Sequence, residues 1–242
     1  FDVRQGGFTG AGINAVSRSG TNTFKASVYG YLTGPDAQGY KVGNITLPKD
    51  TFNYHLNGFF VGGPVIKNKL FYFINGEKEI LNSAATSFIA SDAQHFPGGN
   101  VSAANADTLN TLRQFLINHY GYDPGVYQGY SYRTEKDRFS VKIDWNINSK
   151  NTFAFKYTYS GSNKENPVAN TGAPGGRQPG ITGLPFNGTG SLSKIYFNIL
   201  IAELNTRFSN KISNKLQIGY VSLRNSRSSL AVKEFPFVDI LN

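Results

Sequence analysis

The chain has 242 residues, 24 Lys+Arg against 15 Asp+Glu, a formal net charge of +9, and neither cysteine nor methionine. Charged residues are 16% and aromatics 14%, whereas soluble globular chains carry about 25% charge. A mean hydropathy of -0.32, with no run near the ~20 apolar residues of a spanning helix, excludes a helical membrane protein but not a β-barrel, in which only alternate residues meet lipid. The length suits one large β domain or two ordinary ones. Without cysteine there is no disulfide framework and no thiolate metal site. The cations are scattered, many of them in turns (Lys67, Lys69, Lys150, Lys211, Lys215), and form neither the stripe nor the basic helix of a nucleic-acid binder, so no nucleic-acid partner is expected.

The opening run FDVRQGGFTGAGINAVSRSGTN is small and glycine-rich, with Ile13 and Val16 its only sizeable aliphatics after Phe8. Glycine allows close backbone approach, so the strand Gly12 to Val16 suits the inside of a packed globule better than a lipid surface. The chain starts at Phe1 without a start Met or a targeting segment, which reads as an interior or processed piece of a longer protein.

From Thr23 onward the pattern has period two. In RFSVKIDWNI, Phe139, Val141, Ile143, Trp145 and Ile147 share one face, and Ser140, Lys142, Asp144 and Asn146 the other. TFAFKYTYSG repeats the pattern with Phe153, Phe155, Tyr157 and Tyr159, and only Asn148 to Asn151 separate the two segments, which predicts an antiparallel hairpin. Seven such strands are expected, over residues 23–33, 52–63, 68–80, 135–147, 152–161, 193–208 and 214–227. Each is near or above the ~9–11 residues of a tilted spanning strand. The connections alternate between short polar turns and long loops, and ADTLNTLRQFLINHYGYDPG in one long loop has helical spacing, starting near Asp107 and stopping at Gly121.

Short turns on one side and long loops on the other are the grammar of an antiparallel up-and-down transmembrane β-barrel. Such a sheet must close, because hydrocarbon leaves no backbone group unpaired. Seven strands would be part of a barrel whose remaining strands lie elsewhere. Trp145, Tyr157, Tyr159, Phe208 and Tyr220 are expected near strand ends as aromatic girdles. A soluble sandwich alternates equally well; strand length, strict turn–loop alternation and large aromatic faces favour the barrel.

The runs VRQGGFTGAGINAVSRSGTNTFKASVYGY and NGFFVGGPVIKNKLFYFINGE resemble TonB-dependent outer-membrane receptors, particularly the Oar-like group of Bacteroidota. In that family the last plug strand carries G-x-I-N-[AV]-[VI]-[ST]-[RK]-S-G-T-N and leads into the first barrel strand. Ile13 to Asn22 match it position by position, with Gly12 at its free position and Ala11 in place of its first Gly, and Gly62 to Phe71 match the first periplasmic hairpin. The resemblance implies that residues 1–21 end a plug domain and residues 22–242 form the N-terminal part of the barrel, with Gly12, Ile13, Asn14, Arg18 and Gly20 at the plug–barrel junction. It also implies an outer-membrane location, active uptake of a large or scarce nutrient, and outer-membrane lipid as surroundings. Two further partners follow from it: a TonB complex reached through a plug segment absent from this chain, and a surface lipoprotein.

No catalytic residue, metal or cofactor is expected, and no ligand-binding residue is assigned. His55, His95 and His119 lack ligand spacing. Glu77 and Glu79 share a strand face, where a lumen-facing or loop-base acidic pair offset by Lys78 is the simpler reading than paired catalytic carboxylates. Tyr40, Tyr127, Tyr130, Tyr132, Phe186 and Asn187 suit stacking on sugars or peptides and ordinary loop packing equally. Two rivals to transport remain: a structural or adhesive barrel, and a soluble carbohydrate-binding sandwich.

Overall fold

The computed structural model describes residues 17–46, 51–170, 176–231 and 233–240. Its strands are β1 (Lys25–Thr33), β2 (Lys41–Val42), β3 (Ile45–Thr46), β4 (Phe52–Ile66), β5 (Leu70–Ala84), β6 (Ile89–Ser91), β7 (Val101–Asn105), β8 (Ser131–Asn146), β9 (Asn151–Asn166), β10 (Ser191–Arg207) and β11 (Ser213–Ser229), with one helix, α1 (Ala106–Tyr120). Seven of the strands form an antiparallel sheet in the order β1-β4-β5-β8-β9-β10-β11. These are the seven strands expected from period two, several extended at their loop ends because pairing continues beyond the apolar stretch. The fold is thus an all-β, up-and-down meander.

Short turns do the stitching. Asn68 takes φ 61 between β4 and β5, a left-handed position that asparagine tolerates. The Asn148 side chain accepts from the backbone N–H of Lys150 and Asn151, an Asx turn that fixes the β8–β9 register.

Directly paired residues share a face of a sheet, so the register sorts every side chain. One face reads Ile74, Val141, Tyr157, Leu200 and Tyr220 along a single row, and Leu70, Trp145, Phe153, Leu204 and Leu216 along another. The opposite face carries Asn75, Ser140 and Thr158, then Phe73, Lys142 and Lys156. The apolar face is uncovered: Val28 is 85% exposed and Ile218 63%. So large an apolar surface on a monomer needs a non-aqueous neighbour.

The upper edge of this apolar band runs obliquely. The row of Tyr220 continues through Leu200, Tyr157, Val141, Ile74 and Val61 to Ala26, while β1 remains apolar up to Leu32, six residues beyond Ala26. Across six strand-to-strand steps that is one residue per step, or a strand tilt of about 35° for ~3.3 Å rise and ~4.8 Å spacing. Tilted barrel strands lie in this range. The tilt also revises the girdle expectation. Trp145 is near the turn end of β8, but Tyr157, Tyr159 and Tyr220 are mid-strand, because the strands run well past the apolar band.

The buried apolar side chains are not in the sheet. Ala90, Tyr122, Val168, Leu184 and Phe186 all belong to the long connections, which pack on each other at one end of the wall. Tyr127 meets Phe186 edge-on at 5.8 Å, and Tyr130 meets Tyr132 at 5.5 Å, so these aromatics serve loop packing. Tyr122 stacks on Phe235 at 4.4 Å, which joins the segment after β11 to the loop after α1.

Helix α1 begins where Asn105 accepts from the N–H groups of Asp107 and Thr108, and ends at Gly121 with φ 59, a side-chain N-cap and a left-handed C-cap. The Arg113 guanidinium grips Asp123 with two bonds of 2.8 Å. That grip, with the Gly125 N–H, lowers the Asp123 carboxyl from 3.8 to about 2. A depressed carboxylate contributes stability above its unfolded value and loses it as pH falls through the folded one. The α1–loop contact is therefore expected to hold down to about pH 4 and to loosen between there and pH 2. Hydrogen exchange across residues 113–125 measures this, and in Arg113→Ala the exchange should already be raised at neutral pH.

Candidate functional site

The polar face concentrates the charge chemistry. Its register sets Glu77 opposite Arg138 and Glu79 opposite Lys136. Lys136 Nζ donates to Glu79 at 2.7 Å, and Arg138 donates to Glu79 at 2.9 Å and to Glu77 at 3.1 Å. Tyr29 Oη donates to the remaining Glu77 oxygen at 2.7 Å. Glu79 is only 9% exposed, and a charge so removed from water persists only with opposite charge and donors on its lone pairs. The sequence reading of an acidic pair facing away from lipid is borne out. Its partner is corrected: Lys78 points to the other face and lies 3.7 Å from Asp137, because successive strand residues alternate.

Tyr29 also fits a gap left by a missing side chain. A Cβ on Gly58 would sit 2.4 Å from the Tyr29 ring, and one on Gly62 would sit 2.8 Å from Phe73. Aromatic rings thus cover these two β4 glycines, and Gly58 gives Tyr29 its path to Glu77.

Residues 17–22 lie across the same face. The Arg18 guanidinium rests 5.7 Å from the Phe60 ring centroid, a cation–π contact. Lys142 Nζ donates to Ser19 Oγ at 2.7 Å. At Gly20 a Cβ would fall 2.3 Å from the Tyr72 carbonyl oxygen and 2.9 Å from that of Gly63, so the backbone lies directly on the sheet. Asn22 then closes on the β4–β5 turn by accepting from the Asn68 N–H at 2.7 Å. Of the expected junction residues, Arg18 and Gly20 come together here; Gly12, Ile13 and Asn14 lie outside the described residues.

Below Lys142 is a recess of about 420 Å³ whose polar-face lining includes Lys142, Asp144, Lys156, Glu203 and Asn205. Lys142 stands directly opposite Lys156, a like-charge pair that weakens the strand pairing unless other groups offset it. Lys142 is also 3.3 Å from Asp144 Oδ1, while Asp144 Oδ2 is buried without a hydrogen-bond partner among the described residues. Lys215 pairs with Glu203 at 2.6 Å. Charge-assisted hydrogen bonds to a polypeptide or polar solute are what this surface offers.

The histidines stay apart. His55 is in β4 on the apolar face, His95 bonds Asp92 at 2.8 Å, and His119 stacks on Phe115 at 4.2 Å. Among the described residues no three His, Cys, Asp or Glu side chains form a group suited to a metal ion. The sequence reading missed Tyr29, Lys136 and Arg138. Period two already placed both cations on the face of Ser140 and Lys142, but matching them to Glu77 and Glu79 needed the β5–β8 register across a connection of 46 residues (85 to 130).

The family model described as "Outer membrane beta barrel domain" matches this chain twice, over residues 16–125 and 80–237. No curated protein and no solved structure matches it. The two matches span all seven strands of the meander, with the apolar face outward to lipid and the polar face toward the lumen. The chain therefore belongs to the outer membrane beta barrel domain family, and its place is the bacterial outer membrane.

Proposed function

We propose that this chain is the plug-exit segment and first wall strands of a TonB-dependent receptor of the Oar-like group, taking up a large or scarce nutrient at the expense of inner-membrane energy. The observation that carries the reading is the course of residues 17–22. They run across the polar face, held by Arg18, Ser19 and Gly20, instead of adding a strand to the wall. A segment entering the lumen just before β1 is what a barrel with an internal plug requires. The open edges of β1 and β11 fit a wall completed by further strands, since hydrocarbon tolerates no unpaired edge. The role is transport rather than catalysis, and the TonB complex and a surface lipoprotein are its partners in this proposal.

The test uses the complete protein in its own outer membrane. Uptake of labelled ferric chelates, oligosaccharides and peptides is compared in cells with and without it, before and after a protonophore. Uptake of at least one class should require both the protein and the proton gradient. Unchanged uptake in deleted cells, or uptake indifferent to the protonophore, overturns the proposal; loss of surface attachment instead would favour the adhesive alternative.

A further inference from the structure

The two edges of the wall differ in charge. At the long-loop edge, cations on the lipid-facing side stand beside acids: Lys78 beside Asp137 and Glu135, and Arg133 on Glu135. At the opposite edge, the three tight turns cover residues 65–70, 146–151 and 207–214. They carry Lys67, Lys69, Lys150, Arg207 and Lys211, all exposed, and no Asp or Glu. The four lysine ammonium groups have no ionic partner among the described residues. The nearest acids along these strands, Asp144 and Glu203, are on the lumen face and are engaged by Lys142 and Lys215.

Backbone bonds hold the turns side by side. The Asn146 N–H donates to the Lys69 carbonyl at 2.7 Å, and the Arg207 N–H to the Lys150 carbonyl at 2.8 Å. Successive turns are two strands apart, which is about 10 Å at ~4.8 Å per strand. Directly inside this line of cations lies the last apolar row, Ile66, Leu70, Trp145, Phe153, Leu204 and Leu216. Beyond the ends of β10 and β11, Phe208 and Ile212 are 62% and 61% exposed. Lysine stems lie along apolar surface while their ammonium groups reach outward, and basic clusters beside a bilayer attract anionic headgroups. A rim that met only water would tolerate interspersed acids, as the long-loop edge does.

We propose that the turn edge of the wall binds anionic phospholipid of the periplasmic leaflet, the side that the short turns of such barrels face. The phosphodiester lies between lysines of neighbouring turns, and the acyl chains run along Ile66, Trp145 and Phe208. The inference rests on the barrel and its orientation, not on the transport reading.

The full-length protein, purified in mild detergent, is incubated with equal amounts of phosphatidylglycerol and phosphatidylethanolamine and examined by native mass spectrometry. Retention of phosphatidylglycerol is expected to exceed that of phosphatidylethanolamine severalfold, and the excess should shrink as salt is raised. The combined variant Lys67→Gln, Lys69→Gln, Lys150→Gln, Lys211→Gln should bring the two lipids to equal retention. A second set, Lys41→Gln, Lys78→Gln, Lys164→Gln, Lys194→Gln, removes the same charge from the long-loop end and should keep the preference. Both sets are first shown to keep heat-modifiable mobility. Excess inorganic phosphate at matched ionic strength should leave the lipid in place; displacement would mean a site for free phosphate and overturns the proposal. Equal retention by the unaltered protein, a preference that survives in the turn variant, or one lost alike in both sets also overturns it. A failure of energised uptake in the cell assay leaves it standing, so the two readings fail separately.

Discussion

Replacing Val141 with lysine is expected to prevent stable assembly, whereas Ser140→Lys, one residue away, is expected to be tolerated. Val141 lies in the apolar row between Ile74 and Tyr157, and Ser140 lies between Asn75 and Thr158 on the polar face. A lysine at the bilayer midplane costs roughly 2–4 kcal/mol, a large share of the ~5–15 kcal/mol that holds a folded protein together. On the polar face the same ammonium meets water or the groups that already hold Lys142. Heat-modifiable migration and the urea midpoint in reconstituted vesicles measure the difference. Equal loss in both variants would mean that neither face meets hydrocarbon.

The second large effect is at Glu79. Glu79→Ala leaves Lys136 and Arg138 without the carboxylate that both of them hold. Breaking a buried pair costs about 3–5 kcal/mol when both charges are shut away from water. Here the cations are 37% and 39% exposed, so solvent screens part of the loss and about 1–3 kcal/mol is the expected cost. Glu79→Gln keeps the volume and one acceptor and should cost less than the alanine. The triple variant Glu79→Leu, Lys136→Leu, Arg138→Met removes Glu79 together with both of its cations, leaves Glu77 to Tyr29, and should recover part of the loss, because a buried ion cluster stabilises little beyond a well-packed apolar set. Urea midpoints of the three proteins order these outcomes. If Glu79→Ala unfolds like the wild type, the cluster has no part in holding the wall.

Strand identity was legible in the sequence because side chains alternate strictly on β8 and β9, and a one-residue slip would put Phe139 and Val141 into the lumen. The turns were legible through local chemistry at Asn68 and Asn148. Helix α1 was readable from its spacing, with Gly121 as its stop; the Asn105 cap was not. What the sequence withheld depends on long-range register. Glu77 and Glu79 could be placed on a face, but their cations lie across a long loop. The loop aromatics were ambiguous for the same reason: Tyr127 and Phe186 are 59 positions apart (186 − 127), and no local pattern announces that they meet. At the junction, Gly20 read as part of a motif; the tight approach to Tyr72 and Gly63 supplies the reason a side chain is excluded there.

The absence of cysteine makes the central claim open to direct measurement. Single cysteines at 139, 140, 141, 142 and 143, labelled with a nitroxide in the reconstituted full-length barrel, report contact with lipid-borne or aqueous relaxation agents. Labels at 139, 141 and 143 should respond to oxygen dissolved in the hydrocarbon, and those at 140 and 142 to a water-soluble nickel chelate or to neither. A flat profile, or one with the two sets exchanged, would contradict a wall whose Phe139, Val141 and Ile143 meet lipid.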